Sequence, residues 1–94
     1  MKRQGDLLIV MIGEIPEGAT RRESLVLAEG EATGHAHRLD AGEVYEKEGV
    51  LYFRAEQVVH LVHEEHAMIA LEPGAYQVIR QREYEPEGLR HVTD

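Results

Sequence analysis

Glycine and proline are spaced so that they divide the chain into short apolar runs, and this spacing constrains the fold more than any other feature of the sequence. The runs are rich in Val, Ile, Leu, Tyr or Phe and end at Gly or Pro-Gly turn signals. Short runs of this composition between turn signals are typical of antiparallel strands and leave little room for a helix. The sequence therefore predicts an all-β fold, a small β-barrel or sandwich of six to seven short antiparallel strands.

Individual stretches of the first half give more detailed predictions. Residues 6–12 form a continuous apolar run between two glycines, which predicts a first strand buried on both faces. Residues 20–23 are Thr-Arg-Arg-Glu and predict an exposed loop. Residues 43–54 predict a hairpin that turns at residues 47–49, with Gly49 in the left-handed conformation of a G1 bulge.

The second half contains one ambiguous stretch and one strong turn signal. Residues 57–65 fit both a helical face and strand alternation, and their density of β-branched residues favours a strand. Pro73 and Gly74 occupy the central positions of a predicted type II turn, which would join residues 68–71 to residues 75–84 as a hairpin. The predicted core is drawn from the apolar residues of the strands: Leu7, Ile9, Leu25, Leu27, Leu51, Phe53, Leu61, Ile69, Tyr76 and Val78.

Length and charge limit the class of protein. Residues 1–94 are long enough for one all-β domain with a single small core and too short for two. Ten Lys and Arg against 18 Asp and Glu give a formal net charge of −8, which disfavours binding to nucleic acid. No run approaches the roughly 18 apolar residues of a membrane span, so we expect a soluble cytoplasmic protein. The absence of cysteine means that any metal ion is held by His, Asp or Glu.

Two histidine motifs, at residues 34–37 and 63–66, concentrate side chains that ligate metals. His35 and His37 lie on the same face of an extended chain, because successive side chains alternate. Residues 63 and 66 share a face in a helix, but in a strand they serve one site only where a bend intervenes. The metal hypothesis places His35 and His37 with one or both of His63 and His66 around one ion, and gives it a fourth ligand or a group that orients the imidazoles, which is Glu64 or Glu65. Such donors suit Zn²⁺, Fe²⁺, Mn²⁺ or Ni²⁺, and geometry would select among them.

The alternative for these histidines is a structural or surface role, since short His motifs also occur without metal. A second hypothesis concerns Arg80, Arg82 and Tyr84, which share one face of the predicted last strand and would form a recognition surface for a small anionic ligand. Its alternative is a salt-bridged, solvated strand face. An unpaired edge strand in so small a sheet also predicts a homo-oligomer.

Four segments resemble a family of small bacterial and plasmid- or phage-associated proteins: residues 4–10, 27–37, 63–66 and 71–87. This resemblance spans nearly the whole chain and implies a bacterial source and a recurrent pair of His motifs, but no activity. The chain also resembles the first motif of cupins, which places a glycine, an HxH pair, a glutamate and a glycine in order. The matching residues here are Gly30, His35, His37, Glu43 and Gly49.

These observations favour a binding or assembly module with a His-rich divalent metal site formed by the two histidine motifs. A minimal cupin-like metalloenzyme that acts on a small molecule is the alternative. No Ser-His-Asp order, phosphate-binding glycine loop or HExxH motif occurs in the sequence.

Overall fold

Two antiparallel sheets make up the part of the chain described by the computed structural model, which is residues 1–29 and 34–81. These residues form ten strands: β1 Lys2–Gln4, β2 Leu7–Ile12, β3 Thr20–Arg22, β4 Val26–Glu29, β5 Ala36–Leu39, β6 Glu43–Lys47, β7 Val50–Ala55, β8 Val59–Val62, β9 Ile69–Leu71 and β10 Gly74–Arg80. The six-stranded sheet has the order β1-β2-β10-β7-β6-β3, and the four-stranded sheet has the order β4-β5-β8-β9. The predicted all-β class is confirmed, and a sandwich rather than a closed barrel describes the arrangement.

The core lies between the sheets and contains side chains of both. Leu7, Phe53 and Val44 of the larger sheet and Leu61 of the smaller sheet are fully buried. The rings of Phe53 and Tyr76 stack with centroids 4.8 Å apart, and the Tyr76 hydroxyl donates to the Glu72 carbonyl, so its polar end is satisfied. The predicted core is confirmed: seven of its ten residues are buried, and the other three pack against the cluster while partly buried, namely Leu25, Leu51 and Ile69.

The strand predicted at residues 6–12 is present as β2, but only one of its faces is buried. Leu7 and Ile9 are buried, whereas Leu8 and Val10 between them are only partly buried, so burial alternates along β2 although all of its residues are apolar. The strand β1 was not predicted from the sequence. It pairs with β2, and Gln4 lies opposite Leu7. A two-residue turn joins them, and its first residue, Gly5, has φ 60°, as in a type II′ turn.

The hairpin predicted at residues 43–54 is confirmed, with a tighter turn than expected. Lys47 pairs with Val50, so only two residues form the loop. Glu48 has φ 53° and Gly49 has φ 84°, and two positive φ values in a two-residue loop characterise a type I′ turn rather than a G1 bulge.

Two further local predictions were wrong. Residues 20–23 are not simply a loop, because Thr20–Arg22 is an edge strand that pairs with β6. Residues 68–71 and 75–84 do not form a hairpin: β9 pairs with β8 in one sheet, whereas β10 pairs with β2 and β7 in the other. Pro73 therefore stands where the chain crosses between the sheets, and a turn signal by itself does not specify which strands pair.

The strand predicted at residues 57–65 is β8, which ends at Val62, and a loop of residues 63–68 leads to β9. This loop supplies the bend that His63 and His66 need in order to serve one site. Within the described residues, no helix has the length and the apolar character needed to cross a membrane.

Candidate metal centre

Four histidine rings lie side by side at one end of the sandwich, and we call His35, His37, His63 and His66 the histidine cluster. The ring centres of His37 and His63 are 4.4 Å apart, and those of His63 and His66 are 4.7 Å apart. His35 lies 5.7 Å from His63, and His37 lies 5.9 Å from His66. The fold thus brings together the two sequence motifs, because the loop after β8 returns to β5.

His37 is the anchor of the cluster, and Gln4 of the other sheet holds it. Both side chains are buried, Gln4 at 2% and His37 at 3% exposure. The Gln4 Nε2 donates to the carbonyls of Leu61 at 2.9 Å and Ala67 at 3.0 Å. The remaining amide atom, Oε1, faces the His37 Nδ1 at 2.8 Å.

These contacts decide which nitrogen of His37 carries the proton. The reversed Gln4 amide would place its oxygen against two carbonyl oxygens, so Oε1 must face His37. Nδ1 therefore donates its proton to Gln4, and a neutral His37 then carries its lone pair on Nε2.

The surroundings of His37 keep it neutral. The pKa of His37 is lowered from 6.5 to about 4, chiefly by burial; nearby His63, His66 and Arg80 act in the same direction, and Asp6 acts in the opposite direction. At neutral pH the Nε2 lone pair is therefore available to bind a Lewis acid.

The turn between β1 and β2 brings Asp6 and Gly5 against the cluster. Asp6 Oδ1 lies 3.7 Å from His37 Nε2. A Cβ atom on Gly5 would lie 2.9 Å from His66 Nε2 and 3.2 Å from His37 Cε1. Glycine is therefore required here both for its positive φ and for the close approach of these two rings.

Glu64 fastens the loop to β5 through both oxygens of its carboxylate. Its Oε1 accepts from the Ala36 amide at 2.9 Å, and its Oε2 pairs with Arg38 at 3.1 Å. The Ala36 hydrogen bond is the largest of the contacts that lower its pKa from 4.5 to about 2. Both carboxylate oxygens are thus occupied.

Glu65 contacts the cluster in two ways. Its Oε2 lies 3.8 Å from His35 Nδ1, and its backbone amide donates to His63 Nδ1 at 3.0 Å. A neutral His63 that accepts at Nδ1 carries its proton on Nε2. His63 would therefore have to give up this hydrogen bond in order to ligate a metal through Nε2.

The donor atoms of the cluster are close but do not yet surround a common point. Among residues 1–29 and 34–81, no three His, Asp or Glu side chains form a ready metal-holding group. His66 is exposed, so it can turn toward His37 without repacking the core, and Asp6 Oδ1 already faces His37 Nε2. The ligand roles of the four histidines stay a prediction.

The other predicted site residues are only partly described. Arg82 and Tyr84 lie outside the described residues. Arg80 lies beside the cluster, with its Nη2 3.7 Å from Asp6 Oδ2 and 3.5 Å from the Glu29 carbonyl. Glu43, the glutamate of the cupin-like pattern, accepts instead from the Tyr45 hydroxyl at 2.9 Å.

One protein family matches a part of the chain that includes every residue of the histidine cluster. A family described as a domain of unknown function, DUF8820, matches residues 3–81. The chain belongs to this family. No curated protein and no solved structure matches it significantly. Because the DUF8820 description assigns no activity, the function must be argued from the geometry of the site.

Sequence reasoning missed Gln4 and Asp6 in this DUF8820 domain. The signal was the Gly5-Asp6 pair, since a glycine followed by Asp is a common two-residue hairpin turn. The preceding residues are too polar to suggest a strand, so Gln4 had no visible reason to be buried.

Proposed function

We propose that this DUF8820 domain is a small binding or assembly module that holds a divalent transition-metal ion at the histidine cluster. The observation that carries the proposal is the hydrogen bond between His37 Nδ1 and Gln4 Oε1. Histidines that ligate metals commonly donate their other ring N–H to an oxygen acceptor, which fixes the tautomer and the orientation of the ring.

The neighbours of His37 favour a ligand role over a purely structural one. A histidine that only fills the core needs neither a fixed tautomer nor three further imidazoles within reach. Two donors of one tetrahedral zinc ion lie about 3.4 Å apart, and His37 Nε2 lies 3.7 Å from Asp6 Oδ1. Small side-chain rotations would therefore suffice to form a site for Zn²⁺, Fe²⁺, Mn²⁺ or Ni²⁺.

Metal-dependent stability tests this proposal directly. The full chain, prepared without a histidine tag and stripped with EDTA, is melted with and without Zn²⁺. Zinc at 100 times its dissociation constant stabilises the folded state by about 2.7 kcal/mol, which raises Tm by roughly 10–20 °C for a domain of this size.

Two histidine variants separate the cluster from other histidines. His66→Ala should lose most of the zinc-dependent gain in Tm, and it should fold because His66 is exposed. His60→Ala should keep the gain, because His60 pairs with Asp40 at 2.9 Å rather than with the cluster. An equal gain in the two variants, or no gain in the parent protein, would contradict the proposal.

A metalloenzyme with a cupin-like site is the second candidate, and the HxH pair at the start of β5 favours it. A closed site would serve assembly alone, whereas a coordination position that exchanges water would serve either a ligand-binding module or an enzyme. Water relaxation measured with bound Mn²⁺ distinguishes the closed site from the open one, and only an enzyme would also convert a small molecule bound at the open position. The proposed module is a cytoplasmic protein of bacterial source, and both histidine motifs recur in its family.

A further inference from the structure

We propose that Asp6 is the carboxylate ligand of the metal site, so that the ion is held by Asp6, His37 and His66. This inference rests on the proposed function, because it names the ligands of that same site. Asp6 stands outside both histidine motifs and reaches the cluster only through the fold.

The β1–β2 turn presents Asp6 to the cluster with a fixed backbone. Gly5 and Asp6 form the two-residue loop, and the Gln81 amide donates to the Asp6 carbonyl at 2.7 Å. The Asp6 carboxylate is thereby placed with Oδ1 3.7 Å from His37 Nε2. The edge of the His66 ring lies against Gly5 of the same turn.

The two glutamates of the sequence motif are less suitable as ligands. Both oxygens of Glu64 are occupied by Ala36 and Arg38. Glu65 is 69% exposed in its side chain, and its carboxylate lies near His35 rather than His37. His63 accepts from the Glu65 amide at Nδ1, so its Nε2 carries the proton and has no lone pair for a metal ion.

Arg80 is placed to hold the Asp6 carboxylate in position, as residues around a metal site commonly do for a ligating carboxylate. Its Nη2 lies 3.7 Å from Asp6 Oδ2, on the oxygen that does not face His37. Ligating carboxylates are commonly held through their second oxygen by a hydrogen-bond donor. Asp6 would thus ligate through Oδ1 alone.

A site of two imidazoles and one carboxylate takes a divalent ion of intermediate softness and leaves coordination positions for water or a small oxygen-donor ligand. Because His66 and Asp6 are solvent-accessible, these positions face solvent. The ion would be bound with exchangeable water rather than enclosed.

Calorimetric titration of Zn²⁺ into the EDTA-stripped, untagged full chain tests the inference. Asp6→Asn keeps the size of the side chain and removes its charge, and it should weaken zinc binding by at least about tenfold. Asp40→Asn removes the same charge beside His60, outside the cluster, and should change the affinity less than twofold. Asp6→Glu should restore part of the affinity.

A second measurement uses the parent protein, so that it does not depend on the folding of a variant. On addition of Zn²⁺, the carboxyl ¹³C resonance of Asp6 should shift, while that of Asp40, which contacts His60 outside the cluster, should not. A parent protein that binds no zinc overturns the proposed function together with this inference. Zinc binding that is equally tight in Asp6→Asn, or an Asp6 resonance that zinc does not move, overturns the inference alone.

Discussion

At the scale of single residues, a buried amide determines the chemistry of a buried imidazole. Gln4 satisfies the carbonyls of Leu61 and Ala67 and accepts from His37, and so it joins the two sheets at the site. Buried polar groups that lose a partner cost about 1–3 kcal/mol each. Gln4 is therefore a structural residue of the sandwich as well as the residue that fixes the His37 tautomer.

Replacement of Gln4 by methionine should lower the free energy of unfolding by at least about 2 kcal/mol, because up to three buried polar groups lose their partner. Urea unfolding in the absence of metal measures this. Gln57→Met is the matched control, since Gln57 is exposed, and it should stay within about 0.5 kcal/mol of the parent protein. Equal stability of the two variants would show that the Gln4 hydrogen bonds contribute little.

The depressed pKa of His37 predicts acid sensitivity of the metal-free protein. The folded pKa is about 4 and the ordinary value is 6.5, so between these pH values the unfolded chain binds more protons than the folded one. Stability should therefore be intact above pH 6.5 and should fall by roughly 3 kcal/mol in total as the pH drops to 4. An NMR titration that places the His37 midpoint above pH 6 would be inconsistent with this.

At the scale of elements, the loop of residues 63–68 is held to β5 by a side chain that extends the β5–β8 ladder. Glu64 accepts from the Ala36 amide just beyond the last backbone pair, which is Arg38 with Val62. The position of the loop, and with it His63 and His66, depends on this carboxylate.

Glu64→Gln should destabilise the protein at neutral pH, because the charged acceptor of two hydrogen bonds is lost. The folded pKa of Glu64 is depressed to about 2, so its stabilisation is present above 4.5 and disappears as the pH falls from 4.5 toward 2. The difference between Glu64→Gln and the parent protein should shrink over that range. Glu65→Gln removes the neighbouring charge of the same loop and is the control measured in parallel.

The turn of the β6–β7 hairpin depends on glycine for its backbone alone. Gly49 has φ 84°, and a Cβ added there would meet nothing within 4 Å. Gly49→Ala should therefore lower the free energy of unfolding by about 1–2 kcal/mol, and this loss should come only from the left-handed backbone conformation, since the added methyl group meets no neighbour. Gly13 has equally open space without a positive φ, and Gly13→Ala should leave the denaturation midpoint nearly unchanged.

The same hairpin shows what the sequence specified at this scale. Alternating apolar residues around Glu48 and Gly49 set both the strands and their pairing, because the turn and the pairs are local. Pro73 marked a turn equally well, but the partners of β10 lie far away in sequence, and the turn signal carried no information about them. His37 could be identified as a candidate ligand, whereas Asp6 could not, because only the fold brings it there.

At the scale of the whole molecule, two open sheets leave four edge strands among the described residues. β1 and β3 carry cationic residues, including Lys2 and Arg21, which discourage pairing with another chain. β4 contains a register shift between Val26 and Ala28. The cationic residues of β1 and β3 and the register shift of β4 make these three edges poor partners for another chain. One edge strand remains suited to self-association.

That edge is β9, whose sequence Ile-Ala-Leu has no charge and follows Met68, an apolar residue that is 60% exposed. We expect the homo-oligomer predicted from the sequence to form by antiparallel pairing of β9 from two chains. Ala70 is exposed on this strand, and Ala70→Lys places a charge at the edge, so it should shift the protein toward the 10.6 kDa monomer in light scattering. Met11→Lys adds the same charge on the inner strand β2 and should leave the oligomer intact. A parent protein that remains at 10.6 kDa at high concentration would refute the oligomer, and an oligomer that persists in Ala70→Lys would place the contact elsewhere.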